Sequence, residues 1–369
     1  MRVLVTGGAG FIGSHTVDRL IERGHHVRIL DSLEQPVHQR GVPAWLNPAA
    51  EFVRGDVTRR EDLGPALDGV DAVVHLAAYQ DYLPDFSKFF RVNAVGTALL
   101  YELLVERRLP VRKVVVASSQ AVYGEGRHRT PDGRAVYPDM RPQAQLRAGR
   151  FEIQAEGGGE TRWEPTDEST VNPQNPYALS KHAQEQIALQ LGRRYGIPSV
   201  GLRYSIVQGP RQSFYNAYSG ACRVFCLSLA VGRLPPIYED GRQVRDFVNI
   251  HDVVDANLLV LEDPRADHRV FNVGGDRPYT VLEFARIVAR AFGREVDPAP
   301  SGLYRFGDTR HIVSDVSALR GLGWQPRRDA AASVAEYVEW LRSCPDVEDV
   351  LAHAEKQMRA LGVIREVAP

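Results

Sequence analysis

The chain has 369 residues, of which 44% are hydrophobic and 25% charged, with a formal net charge of -1. That composition belongs to a folded globular protein with room for one large or two modest domains, and a charge near zero provides no field for nucleic acid or an anionic membrane surface. No run approaches the ~20 consecutive apolar residues of a membrane span.

The N-terminus, "MRVLVTGG", runs straight into an apolar strand and a glycine turn, so no signal peptide is expected. The three cysteines are odd in number, and Cys222 and Cys226 lie four apart on a predicted helix, a spacing that suits packing rather than a disulfide or a metal. A reducing, cytoplasmic setting is the expectation.

The first half alternates apolar runs with amphipathic ones: "RVLVTG", "HTVDRLIERG", "HVRILD", "EFVRGDV", "DAVVHLAA", "NAVGTALLYELLVERR" and "VRKVVVASS". Strands that are apolar almost throughout, separated by helices, predict an α/β, doubly wound parallel sheet of Rossmann type covered on both faces. Further strands are predicted at "PSVGLRYS" and "DFVNIHDV", with helices over 177–195, 216–231 and 252–262. The last third reads as a smaller α/β substrate lobe. The expected division is 1–200 for the cofactor domain, 201–345 for a lobe interwoven with it, and 346–369 for a terminal helix and loose tail.

Residues 125–165 break the pattern. This stretch is rich in Gly, Pro, Arg and Gln and has little periodicity. A structureless loop of that length is uncommon in a compact domain. It reads as an insertion, either folding over the mouth of a site or lying on the surface.

The sequence "VLVTGGAGFIGSH" sets Gly7, Gly10 and Gly13, with Phe11 and Ile12 between them, in the turn from the first strand to the first helix. Glycines there permit a tight turn and close approach of backbone to a pyrophosphate, which the helix N-terminus attracts. Asp31 ends the next strand, placed to accept both ribose hydroxyls of NAD and to repel the 2′-phosphate of NADP. Asp56 and Val57 in "RGDV", and Leu76, Ala77 and Ala78 in "HLAA", follow strand ends at the same predicted edge.

In "NPYALSK", Tyr177 and Lys181 are four apart at a helix start and so share a face. A phenol with a reference pKa near 10 needs a neighbouring cation to act as a base at neutral pH, and Lys181 is placed to be one. Ser119, ending the strand "VRKVVVASS", can bond both the phenol and a reacting alcohol.

Together with "VNAVGT", "SSQAVYG", "LRYSIVQGPRQ", "DGRQVRDFVNIHDV", "RFGDTRH" and "LGW", these motifs make the chain resemble the extended short-chain dehydrogenase/reductase family, in particular its NAD-dependent nucleotide-sugar epimerases and dehydratases. The likeness covers about residues 1–345, interrupted by the insertion. It implies NAD as cofactor, a nucleotide-diphosphate sugar as substrate, and Ser119, Tyr177 and Lys181 as catalytic residues. It also implies that Asn93 supports the active-site helix, and that substrate meets Ser119, Gln120, Tyr177, Ser205, Gln208, Arg245, Arg305 and Asp308. A homodimer is expected through the helices near 95–107 and 177–195, whose Leu99, Leu100 and Leu103 could serve as contact or as core.

Where the family's 4,6-dehydratases carry Asp and Glu after the catalytic hydroxyl, this chain has Gln120 and Ala121, which cannot exchange protons. Epimerisation, at C4, is the expected reaction. A dehydratase, a net dehydrogenase and a non-catalytic NAD-binding protein are the alternatives. Ser205 and Ile206 depart from the usual Phe-Asn, and Gln208 stands where Tyr is frequent. The "RYSIVQGPRQS" run and the insertion look most like dTDP-L-rhamnose 4-epimerase-type enzymes. Some of those carry a cysteine pair in the insertion; none is present here, so no metal is expected and the sugar stays open.

Overall fold

The computed structural model describes residues 1–215, 220–295, 297–344 and 350–368. Its centre is a seven-stranded sheet in the order Val270–Val273, Ser199–Tyr204, Lys113–Ser119, Ala72–His75, Arg2–Thr6, His26–Asp31, Glu51–Arg54, with every pair parallel. Successive side chains of a strand leave on opposite faces. Accordingly Val3, Val5 and Ile29 join one core cluster, with the helices Phe11–Glu22 and Ile250–Glu262, while Leu4, Leu30 and Val73 join another, under the helix Gly96–Glu106. The order of strands reverses between Arg2–Thr6 and Ala72–His75, and a doubly wound sheet opens its crevice at the carboxyl ends beside such a point.

The helix Pro176–Tyr195 lies against the same sheet. Asn175 caps it by accepting from the Ala178 N–H at 2.8 Å, proline fills its first position, and Gly196 ends it in the left-handed region at φ 67°. Before Gly96, the chain makes a π-helical turn over Phe90–Val95, which carries Asn93.

A second lobe is built from Ile206–Gln208, parallel to Val244–Asn249, which pairs antiparallel with Pro278–Thr280. Phe225, Phe247, Phe284 and Tyr337 form its core. The predicted helix at 216–231 is observed as Ala221–Ala230, residues 216–219 lying outside those described; Cys222 and Cys226 are buried in it, unpaired.

Two expectations change. The insertion is not structureless: His128–Arg129, flanked by Ala135–Val136 and Arg162–Trp163, forms a small antiparallel sheet, and a helix runs over Gln143–Arg147. The tail after the helix Val350–Ala360 is not loose, because Ile364–Glu366 pairs antiparallel with Leu303–Arg305. The insertion's strands are only two residues long, and the pairing of His128–Arg129 with Arg162–Trp163, like that of the tail, joins segments far apart in sequence, so neither feature leaves a local periodicity. Among the described residues no helix is long and apolar enough to cross a membrane.

Candidate active site

The first crevice wall is the turn after Arg2–Thr6. Gly7 sits at φ 68°, and a Cβ on it would lie 2.8 Å from the Ala77 nitrogen; one on Gly13 would lie 2.1 Å from the Gly7 carbonyl. Neither position admits a side chain. Gly10 precedes the helix Phe11–Glu22 and no side chain caps that end, so the N–H groups of Phe11 and Ile12 meet an approaching anion directly. The Asp31 carboxylate accepts from Ala9 N–H at 3.0 Å and from Leu33 N–H at 2.9 Å, which fixes its orientation and leaves further lone pairs on both oxygens. Asp56 is half-buried and accepts from Thr58 N–H at 2.8 Å, with Val57 buried beside it against Gly96. Leu76 and Ala77 are half-buried and Ala78 exposed just past His75. Tight glycines, an uncapped helix end and an oriented carboxylate fit a dinucleotide.

Ser119 ends its strand with its hydroxyl accepting from Ala121 N–H at 3.1 Å, which starts the short helical turn Gln120–Tyr123. The same hydroxyl is hydrogen-bonded to the phenol of Tyr177, whose pKa is pushed up to about 12 by burial, the Ser119 bond acting against the shift. Lys181 is 1% exposed, and burial pushes its ammonium down to about 7. Its Nζ donates to Gln184 Oε1 at 2.6 Å.

Asn93 is fully buried. Its Nδ2 donates to Ser180 Oγ at 2.9 Å and to the Tyr79 carbonyl at 3.0 Å, and its Oδ1 accepts from Tyr79 N–H at 2.8 Å. It therefore joins the helix Pro176–Tyr195 to the segment after "HLAA".

The residues expected at the substrate differ in how they are engaged. Gln120 Oε1 and both amide atoms of Gln208 are buried with no hydrogen-bond partner, capacity that a polar ligand can use. The Ser205 hydroxyl is tied inside the lobe, donating to Asp246 at 2.8 Å and lying 2.8 Å from Ser314 Oγ. Arg245 donates to the carbonyls of Val244, Thr309 and Arg310, at 3.0, 2.6 and 2.9 Å, and so holds the loop that carries Asp308. Arg305 pairs with Asp308 at 2.9 Å, donates to the Tyr82 phenol at 3.0 Å and lies over the Tyr238 ring.

Several residues near these groups were not singled out from sequence. His38 Nε2 lies 3.7 Å from Asp31, and Tyr82 and Tyr238 flank Arg305. Gln184, Thr97, His75 and Thr6 form a buried chain from Lys181. Gln184 stands three residues after Lys181 on one helix, and Thr6, His75 and Thr97 lie in "VLVTGG", "HLAA" and "VNAVGT", but nothing local shows that these four meet.

The family model for the NAD dependent epimerase/dehydratase family matches residues 3–145 and 154–274. The chain belongs to that family. It is similar to the dTDP-L-rhamnose 4-epimerase of Burkholderia thailandensis, with 34% identity over 347 residues, 92% of this chain and 94% of the relative. The UDP-glucose 4-epimerase of Mycolicibacterium smegmatis is 33% identical over 353 residues, 93% and 99% of the two chains. Among solved structures, the UDP-glucose 4-epimerase of Thermotoga maritima with UDP-glucose superposes with a TM-score of 0.75 at 30% identity, covering 93% of this chain and 99% of that one. The Thermus thermophilus UDP-glucose 4-epimerase in complex with NAD gives 0.73 at 30%, covering 93% and 100%. The break in the family match, 146–153, falls inside the insertion.

Proposed function

We propose that this chain inverts C4 of a nucleotide-diphosphate sugar by an internal oxidation and reduction, with NAD held throughout. The carrying observation is the hydrogen-bonded pair Ser119–Tyr177, with Lys181 one turn further on, at the mouth of the dinucleotide crevice. When bound, NAD supplies a reversible two-electron acceptor for the carbon bearing the reacting hydroxyl. Ser119 holds the hydroxyl oxygen and Tyr177 takes its proton. The Lys181 ammonium offsets the charge of the phenolate, which burial alone disfavours. Once the keto-sugar has rotated to present its other face, the electron pair it gave up would return as hydride to that face while Tyr177 gives the proton back to the oxygen, so the stereocentre is inverted with no net oxidation. Gly7, Gly10, Phe11, Ile12 and Gly13 would take the pyrophosphate, and Asp31 the ribose. Arg305, with Asp308 beside it, would take the substrate diphosphate, and Gln120 and Gln208 the polar edges of the substrate.

Gln120 and Ala121 stand where dehydration would need an acid and a base, which favours epimerisation over water loss. Incubation of the purified protein, without added NAD, with dTDP-, UDP-, GDP- and CDP-sugars tests this. A new species of unchanged mass is expected. Loss of one water would make the chain a dehydratase, and no conversion of any sugar would count against the reading.

A cytoplasmic homodimer is part of the same proposal. Leu100 and Leu103 are core residues, at 0% and 2% exposure. Phe86, Phe90, Val95 and Leu179, at 56%, 38%, 54% and 45%, are exposed apolar side chains on elements that pack on one another. Light scattering should give twice the 41.1 kDa chain mass, and Phe90→Arg with Leu179→Arg should halve it. A monomeric wild type would remove the dimer from the proposal.

A further inference from the structure

We infer that Gln184 is the positioning residue of Lys181: a buried chain of hydrogen bonds of fixed direction turns its carboxamide so that Oε1 must face the lysine ammonium. The inference rests on the reading of Lys181 as the cation beside Tyr177.

The direction follows from counting donors. The Thr97 hydroxyl donates to the Asn93 carbonyl at 2.7 Å, so its oxygen can only accept from its other neighbours. Those are Gln184 Nε2 and His75 Nε2, each at 3.0 Å. His75 therefore carries its proton on Nε2, and its Nδ1 accepts from the Thr6 hydroxyl at 2.8 Å. Thr6 Oγ1 in turn accepts from Ala77 N–H at 3.2 Å. Every member has a partner, and reversing Gln184 would bring its NH2 against the ammonium, two donors face to face. Thr6, His75, Thr97 and Gln184 are all 0% exposed, so no solvent can repair such a reversal.

The chain ends beside the cofactor turn, since Ala77 is the residue against which Gly7 packs. It thus joins the strand end that shapes the dinucleotide crevice to the amine that serves the phenol. The other ionisable groups around Lys181 do not compete for it. His75 is neutral, Tyr177 is bonded to Ser119, and Glu185 is held by Arg203 at 2.6 and 2.9 Å.

The sequence holds four lysines, so a ¹³Cε-lysine NMR titration of the purified holoenzyme resolves Lys181, assigned with Lys181→Met. Gln184→Glu should raise the Lys181 midpoint by about one pH unit or more, and Gln184→Leu should lower it. The alkaline limb of the turnover profile should move the same way in each variant. A Lys181 midpoint equal to wild type in Gln184→Glu would overturn the inference, and that variant decides alone if Gln184→Leu does not fold. A midpoint that moves while the alkaline limb stays put would leave the positioning intact and instead overturn the role given to Lys181 in catalysis.

Discussion

Arg141, in the middle of the insertion, forms a two-pronged ion pair with Glu239 of the second lobe, at 3.0 and 2.9 Å, with both side chains almost completely buried. Its guanidinium also reaches Glu125 at 3.3 Å and the Asp308 carbonyl at 2.7 Å. Arg310 adds bonds to Glu239, Asp240 and Glu152. The insertion is therefore fastened to the loop carrying Arg305 and Asp308. Removing one member of a buried pair strands its partner's charge. Arg141→Met should lower stability by about 3–5 kcal/mol, measured by urea unfolding. In the folded fraction, KM for the nucleotide sugar should rise more than kcat falls. An unchanged urea midpoint would refute the fastening.

The Ser119–Tyr177 pair makes a second prediction. Tyr177→Phe removes one oxygen from a buried site and should leave the fold and bound NAD intact. Turnover should fall by about 10²–10⁴-fold, the usual worth of a general base. Absorbance of the purified protein reports NAD and a single-turnover assay reports the rate. Near wild-type turnover would rule out the proposed mechanism.

The glycine turn makes a third. A Cβ at Gly13 would fall 2.1 Å from the Gly7 carbonyl, so strand and helix must part in Gly13→Ala. The expected result is protein purified without NAD and with a lowered melting temperature. Retention of a full complement of NAD would contradict the close packing described.

Stability should also fall on mild acidification. Burial lowers His75 to about 3 and His15 and His128 to about 4. Each folded pKa lies below the unfolded value near 6.5, so between those values the unfolded chain binds more protons. The stabilisation is complete above pH 6.5 and is lost as pH drops toward 4, by roughly 1.4 kcal/mol per unit for each group as an upper bound. Glu125 opposes this: burial raises it to about 6, so between its unfolded value and 6 the folded chain binds the extra proton. The net expectation is a lower urea midpoint at pH 5.5 than at pH 7.5. An equal or higher midpoint at pH 5.5 would show that the histidine contribution does not outweigh that of Glu125.

The local chemistry of this protein was legible in its residues. Gly7, Gly10 and Gly13 declare a turn because backbone conformation and close approach are properties of a few consecutive positions. Asp31 declares itself by ending a strand, and Tyr177 and Lys181 by the helical period that sets them on one face. The parallel sheet follows from strands too apolar to have a solvent face. What the tertiary structure alone decided are the partners. The resemblance places Arg245 at the substrate, yet its donors hold carbonyls of residues 309 and 310. The insertion carries little periodicity because its order comes from Arg141 meeting Glu239, 98 positions away. The tail becomes a strand only by pairing with Leu303–Arg305. The orientation of Gln184 is set by Thr97, His75 and Thr6, which three separate elements bring together. A hydrogen bond's direction depends on what else each atom already holds, and that is known only once the chain is folded.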